Sequence, residues 1–557
     1  MKKQLTLFAL FCFIAMTSFS QTESVGIPHS FMQKGLSWSV DNIQMPSVDR
    51  NALLAEDEKQ ATKEKPLRIG VAHMTRYTFD NCGRTDILED GGRLWRANFQ
   101  SSGALVMSLV FDVFNIPEEG QLYIYSPNHD QVFGPYTNSD IQETGFMVTD
   151  DIYGDELTVE YYEPANASFR GEVRISEVTH TYRPIFAARS TEDVKGYWGN
   201  ADGSCHINVA CPDGDPWHYP INSVVCIVID PHDGYQYICS GAMVNNVRMD
   251  KTPYVLSANH CVETADQSHK FVFNYQTNSC QGTVGLYNRV SNGGVIRARS
   301  NTSNNTTSSS DFLLLEITGN LGPAFRDSIF FAGWDRSGAA SIGAGIHHPG
   351  GDFKKISFPK SVTNITSGQY ANKYFSVSWQ TNPNKGVTEQ GSSGSPLFNA
   401  SQRIIGTLTS GSSACDYIYG TDNYGKMSYH WLNNGTNNNA LKLQPWLDPD
   451  NTGTVVLDGM KYDGTVVVGI QDHDPVSGTF DIYPNPATAG TVTIQGEFIP
   501  ETAICNIYNA MGQIVKHLEV YTDVTFSLNV SDLDNGVYFI DLIGSERNYK
   551  SKLVITR

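Results

Sequence analysis

Apolar and polar residues alternate with period two over much of the chain, in short runs closed by turn residues. "ALVMSLVFDVF", "QLYIYS" and "GEVRISEV" are runs of this kind, with "NIPEEG" and "SPNHD" as turns between them. Because period two sends successive side chains to opposite faces of a strand, residues 21–195 predict a β-sandwich with a less ordered, charged start near "AEDEKQATKEK". Residues 196–450 contain many short β-like runs and glycine-rich turns, and helical periodicity is weak throughout, so the predicted class is all-β. From 451 to 478 the texture becomes that of a linker, with "DPDNTGT", "DGMKYDGT" and "DHDPVSGT". Residues 479–557 pack several short strands into about 80 residues, the size of one small sandwich. A chain of 557 residues exceeds a single core, and this division into separate units follows.

The N-terminal segment predicts an exported chain, and charge and cysteine usage are read in that light. Residues 1–20 carry Lys2 and Lys3, then an apolar run to about Met16, then Ser18 and Ser20, which predicts a secretory signal cut after Ser20. A formal net charge of −19 argues against nucleic-acid and anionic-membrane partners. Of ten cysteines, Cys12 leaves with the signal, Cys82 and Cys505 are isolated, and seven lie between Cys205 and Cys415. In an exported chain such a cluster predicts disulfides, and the odd count leaves one thiol over. Cys226, inside the apolar run "VVCIVI", is the expected buried thiol.

Three stretches of the middle section carry candidate chemistry. "YVLSANHC" is a β run ending in small residues, with His260 beside Cys261; a disulfide there fixes the backbone of a general base, although a structural or metal-binding histidine reads equally well from the pair alone. Asp311 stands where the polar loop "NTSNNTTSSS" enters the apolar strand "DFLLLEI", a place for an enclosed carboxylate or for an ordinary turn aspartate. "VTEQGSSGSPLF", residues 387–398, contains G-x-S-G-x-P. Its first glycine permits a backbone twist that aims two N–H groups at one point, the serine in third place projects from the turn, and the next glycine allows close approach by a substrate. That reading makes Ser393 a nucleophile, with the N–H groups of Gly391 and Ser393 as an oxyanion hole, and leaves Ser392 and Ser395 as framework.

In the order His260, Asp311, Ser393 these stretches resemble the chymotrypsin-like serine proteases, and within them the bacterial lysyl endopeptidases of Achromobacter type. The resemblance runs from "GSCHINVACPDGD" through "CSGAMVNN", "YVLSANHC", "SDFLLLEI", "IHHP" and "GVTEQGSSGSP" to "DNYGKM" and "WLDP". It implies a double β-barrel with the active site in the cleft between barrels, and catalysis by His260, Asp311 and Ser393. It also implies the disulfides Cys205–Cys415, Cys211–Cys280 and Cys239–Cys261, with Cys226 unpaired. Asp422 in "DNYG" matches the family's specificity aspartate, and Asp416 is the local rival. Thr409, Ser410 and Gly411, in "LTSGSSAC", stand on the strand expected to pair with extended substrate, where the Achromobacter-type enzyme has a histidine followed by glycines. No metal or organic cofactor is implied, and His347 and His348 of "IHHP" belong to the fold rather than to a metal site.

The outer sections then take roles around this one. Residues 21–195 become a propeptide, with Lys195–Gly196 as a junction that a lysine-specific enzyme cuts itself, Arg189 as another cut, and a retained binding module as the alternative. "YPNP", "NGVYFI" and the closing "SKLVITR" resemble the sorting domain of the type IX secretion system of Bacteroidetes. This implies a Gram-negative source, passage through the periplasm, the outer-membrane secretion machinery as a partner, and a secreted or surface product. Lysine-bearing proteins or peptides are the expected substrates and a monomer the expected state. Arginine or mixed basic specificity, and an idle surface adhesin on a protease fold, are the competing readings.

Overall fold

The computed structural model describes residues 26–34, 36, 40, 42–183, 205–262, 268–282, 285–286, 289–301, 309–319, 321–322, 325, 328–381, 385–467, 478–496, 501–509, 514–522, 525–543 and 548–557. The signal segment, Arg189 and the Lys195–Gly196 junction lie outside the described residues.

Period-two runs become strands throughout, and the fold is all-β. In the N-terminal section one sheet orders Asn42–Gln44, Arg93–Gln100, Glu156–Glu163, Gln121–Tyr125 and Val132–Tyr136. It faces a second sheet in which Glu172–Thr181 lies between Leu67–Thr78 and Leu109–Asn115. Trp95, Phe99, Phe111, Leu122 and Val159 fill the space between the two sheets.

The second sheet does not end at the domain boundary. Strand Leu67–Thr78 pairs antiparallel with Tyr235–Val244, with Leu67 opposite Ile238 and Arg68 opposite Tyr237. Leu67 and Ile69 share a core with Cys226, Val228, Ile238, Val272 and Phe353. The section expected as a separate sandwich is therefore a continuation of the middle section's sheet, and two aliphatic side chains buried there contribute about 1.5 to 3 kcal/mol each.

The charged stretch "AEDEKQATKEK" is also more ordered than its composition suggests. Arg50–Gln60 is a helix whose N-terminus is capped by Asp49, the carboxylate accepting the Ala52 N–H at 3.0 Å. One of its charges has three partners: Asp57 accepts from Arg68 Nε at 2.7 Å, Arg183 Nη2 at 2.8 Å and Tyr182 Oη at 2.7 Å.

Between residues 205 and 447 two barrel-like sheets pack side by side. The first contains Val224–Asp230, Tyr235–Val244, Tyr254–Ala258, Ser268–Phe273 and Phe312–Ile317. The second contains Ala344–His347, Tyr374–Trp379, Pro396–Phe398, Ile404–Gly411 and Thr421–Lys426. Val224, Leu256, Phe312, Ile346, Phe398 and Trp431 belong to one core that spans both. The stretch read as a linker begins as part of this body: Val456–Leu457 pairs with Trp334–Asp335, and Gly459–Lys461 with Phe330–Phe331. Met460 and Leu457 are buried, which is the apolar content that holds residues 456–461 down despite the Asp/Gly-rich composition. The C-terminal section forms two small sheets around Ile482, Val492, Ile507, Ile540 and Leu553.

Candidate active site

His260 pairs with Asp311 on the first barrel, and Ser393 lies where the two barrels meet. His260 ends strand Tyr254–Ala258 in a short 3-10 turn, and Cys261 beside it is bonded to Cys239 on the neighbouring strand. Asp311 has φ of +60°, a left-handed conformation aspartate tolerates. The turn this produces lets its carbonyl accept the Asn259 N–H at 2.9 Å while its side chain reaches His260. Asp311 Oδ2 lies 2.7 Å from His260 Nδ1, and Oδ1 accepts the His260 backbone N–H at 2.9 Å. All three side chains are buried.

The turn Gly391–Ser395 is held from several sides. Gly391 has φ of +91°, and a Cβ there would meet the His348 carbonyl at 2.9 Å. Ser240, on the first barrel, donates from its backbone N–H to the Ser393 carbonyl at 2.8 Å and from its hydroxyl to the Gly391 carbonyl at 2.9 Å. Gly394 is small for a reason other than substrate access: a Cβ would stand 2.1 Å from Ser257 Oγ, so the residue is the contact point between barrels. Ser392 Oγ lies 2.8 Å from His347 Nδ1, and the other ring nitrogen is 2.9 Å from Ser357 Oγ. His348 Nδ1 lies 3.1 Å from the Asp352 carbonyl. Burial drives His347 well below the usual histidine range and His348 to about 3, so both act as neutral packing groups under the turn.

The structure pairs Cys205 with Cys415, Cys211 with Cys280, and Cys239 with Cys261, and Cys82, Cys226 and Cys505 are free. Burial pushes the Cys226 thiol far above its ordinary range.

Asp422 lies beneath a cleft lined by Glu389, Gln390, Gly411, Ser412 and Ser413, bonded to Ser413 of that lining. Strands Ile404–Gly411 and Thr421–Lys426 pair with Gly411 opposite Asp422 and Ser410 opposite Asn423, and of Thr409, Ser410 and Gly411 it is Gly411 that lines the cleft. Ser410 Oγ accepts from Asn423 Nδ2 at 3.0 Å. Asp422 is fully buried, whereas Asp416 is exposed. Asp422 Oδ2 accepts from Trp379 Nε1 at 2.6 Å, Thr388 Oγ1 at 2.7 Å and Ser413 Oγ at 2.5 Å. A buried carboxylate so supplied with donors has its hydrogen-bonding needs met inside the protein.

The remaining oxygen of Asp422 is taken by a residue from the N-terminal section. Lys63 Nζ donates to Asp422 Oδ1 at 2.7 Å and to Ser413 Oγ at 2.9 Å. The Ser393 hydroxyl donates to the Lys63 carbonyl at 2.8 Å. Burial pulls the Lys63 ammonium down from the ordinary lysine range, and Asp422 opposes this. Among the described residues His260 Nε2 has no hydrogen-bond partner, since the Ser393 proton is directed to Lys63.

Residues 199–425 match the family described as lysyl endopeptidase, C-terminal domain. Residues 481–556 match the secretion system C-terminal sorting domain. Both matches agree with the resemblances carried by the motifs. Lysyl endopeptidase of Pseudomonas aeruginosa is 30% identical over 285 residues, 47% of this chain and 56% of that relative, so the chain spans little more than half its length. Among solved structures, protease Anisep from Arthrobacter nicotinovorans is 17% identical with a TM-score of 0.29, covering 37% of this chain and 91% of that one. The thermostable serine protease AL20 is 11% identical with a TM-score of 0.27, covering 37% and 92%.

Sequence reasoning missed Lys63, Ser240, Trp379, Thr388 and Ser413. Thr388 lies within "VTEQGSSGSP" and Ser240 follows Cys239, so their proximity to recognised motifs was a signal. Trp379 and Lys63 arrive through pairings of distant strands, for which a single sequence carries no local mark.

Proposed function

We propose that the chain is the precursor of a secreted serine endopeptidase that cleaves on the carboxyl side of lysine. Ser393 attacks the scissile carbonyl, and His260 Nε2 takes its proton and returns it to the leaving amine. Asp311 holds the ring with Nδ1–H toward itself, and the N–H groups of Gly391 and Ser393 receive the oxyanion. Thr409, Ser410 and Gly411 are the strand for extended substrate. Cleavage at Lys195–Gly196 frees the mature chain, and the sorting domain engages the outer-membrane type IX machinery; the mature enzyme is a monomer.

One observation carries the lysine assignment: an ammonium of the chain itself sits 2.7 Å from Asp422 with its own carbonyl 2.8 Å from Ser393 Oγ. Arginine is disfavoured by the donor arrangement. A guanidinium fork bonds a carboxylate through both oxygens, but Oδ2 of Asp422 already accepts from Trp379, Thr388 and Ser413. Oδ1, which accepts the Ser413 N–H at 3.3 Å, is the oxygen with room for one more donor, which suits a point charge.

The test digests a peptide mixture with the processed enzyme and with Ser393→Ala, then sequences the new termini. Cuts after lysine that vanish in the variant are expected. Equal cleavage by both forms removes Ser393 from the mechanism, and cuts spread evenly over arginine and lysine remove the specificity.

A further inference from the structure

We infer that the N-terminal section is an inhibitor module of the catalytic domain, with Lys63 as its reactive-site residue, seated in the lysine pocket in a form that Ser393 does not cut. The inference rests on the assignment of Ser393 and Asp422 just proposed, and it adds a function that a leader removed on maturation would not need.

The loop carrying Lys63 is built like that of a protein inhibitor, fixed on both flanks before it meets the enzyme. Helix Arg50–Gln60 precedes it and strand Leu67–Thr78 follows it. Arg68 ties the two together through Asp57 at 2.7 Å and Glu56 at 3.0 Å. Gln390, next to the nucleophile turn, donates to the Pro66 carbonyl at 3.2 Å and the Lys65 carbonyl at 3.4 Å. The strand after the loop then adds to the edge of the first barrel, so the module holds the enzyme by main-chain pairing as well as by one side chain. A loop ordered by its own domain surrenders little conformational freedom on seating, which favours tight binding.

The seat is substrate-like at the side chain and unlike a substrate at the bond. Thr62–Lys65 is a turn closed by Lys65 N–H to the Thr62 carbonyl at 3.2 Å, and the Lys63–Glu64 peptide lies at its centre. A tight turn does not present that bond along an extended path. Ser393 spends its proton on the Lys63 carbonyl oxygen, and His260 Nε2 is without a partner among the described residues. The base is thereby disengaged from the nucleophile, and the module occupies the pocket while leaving its own peptide bond intact. Glu64 and Lys65 are exposed at the rim, so the single deeply buried side chain of the loop is the one that matches the pocket.

The full chain tests this without separating its parts, because unprocessed and processed forms differ in size on a gel. Each band is reacted with a fluorophosphonate probe that phosphonylates an accessible active serine. The wild-type precursor is expected to label slowly and the processed band quickly. Lys63→Ala, and Lys63→Gln, which keeps the stem and loses the charge, should speed labelling of the precursor by roughly thirtyfold or more, as for truncation of one partner of a buried charge pair. Lys65→Ala, at an exposed side chain, should match wild type. Precursor bands of both Lys63 variants labelling as slowly as wild type, beside a fast processed band, would overturn the inhibitor role while leaving Ser393 in place. A processed band that fails to label in every form would instead sink the proposed nucleophile. Terminal sequencing supplies the second arm: a Glu64 terminus that accumulates in the wild type and not in Ser393→Ala makes Lys63 a substrate and refutes the inference, and its absence supports it.

Discussion

Asp311 grips His260 at two points, accepting the ring Nδ1–H at 2.7 Å and the backbone N–H at 2.9 Å. The ring bond fixes the tautomer that leaves Nε2 free to accept a proton, and the backbone bond fixes where the ring starts. Asp311→Asn keeps the shape but offers the ring an amide that can donate, which favours the opposite tautomer. In the processed enzyme kcat should fall by about 10⁴-fold with KM little changed. Steady-state kinetics on a lysyl peptide substrate measures this, and a loss confined to KM would contradict it.

On the proposed assignment of Asp422, its donor set makes specificity a matter of two oxygens rather than one charge. Asp422→Asn should lower kcat/KM for lysyl substrates by about 10³ to 10⁴-fold, because a site built to pair a buried cation is left without its anion. Ser413→Ala removes one of the three donors on Oδ2 and opens space beside it. The ratio of lysine to arginine cleavage should then fall, by about tenfold if one charge-assisted bond of about 1.4 kcal/mol is the difference. Paired substrates differing only at that residue read the ratio directly, and an unchanged ratio would remove Oδ2 occupancy as the basis of selection.

Ser240 holds the turn that carries the proposed nucleophile. Its hydroxyl donates to the Gly391 carbonyl at 2.9 Å and accepts the His348 N–H at 3.0 Å, and both bonds are buried. Ser240→Ala leaves two buried backbone groups without partners, a cost of about 1 to 3 kcal/mol each. Unfolding by denaturant should report that loss, and kcat should fall while KM for lysine is kept, since Asp422 is untouched. Ser240→Thr, which restores a hydroxyl, should recover part of kcat; stability loss without any change in kcat would make the residue structural only.

Legibility in the sequence follows the range of the interactions. The strand pattern, and the placing of His260, Asp311 and Ser393 at strand ends and turns, are readable because alternation and turn chemistry are local. "DNYG" draws attention to Asp422, but that it is buried while Asp416 is exposed is known only from the fold. "AEDEKQATKEK" misleads because charge suggests solvation, whereas Asp57 is consumed by Arg68, Arg183 and Tyr182, residues 11 to 126 positions away. The apparent linker misleads likewise, since Val456–Lys461 gains its structure from Trp334 and Phe330 rather than from its own glycines. Lys63 cannot stand out among its neighbouring lysines, because what distinguishes it is the pocket 359 residues further on.

The surface between the N-terminal section and the first barrel contains a pH-sensitive contact. Glu177, from the N-terminal section, bonds His232 Nδ1, and Asp230 lies beside them with an oxygen 3.6 Å from that nitrogen. Burial, then the charge of Glu177, raises Asp230 from the ordinary carboxylate range to about 8. Burial pulls His232 down, but the bond to Glu177 and the charges of Glu177, Asp230 and Asp112 outweigh it, so His232 is raised. Ser268, the ring of Phe146 and the buried, neutral His269 complete its surroundings, and Asp112 is itself paired with Arg174. Both shifted groups hold protons in the docked state that they would release when the two surfaces part. Their contribution to docking is therefore complete at acid pH and is lost as pH rises through about 8. Dividing the fluorophosphonate labelling rate of the precursor by that of the processed enzyme cancels the pH dependence of the chemistry itself. That quotient should rise between about pH 6 and 9, by on the order of tenfold or more as the docked surfaces lose those protons. Glu177→Gln removes the buried negative charge that helps to raise both groups and should flatten the rise. A quotient that is level in the wild type, or equally steep in Glu177→Gln, would mean that protons at this contact do not govern release.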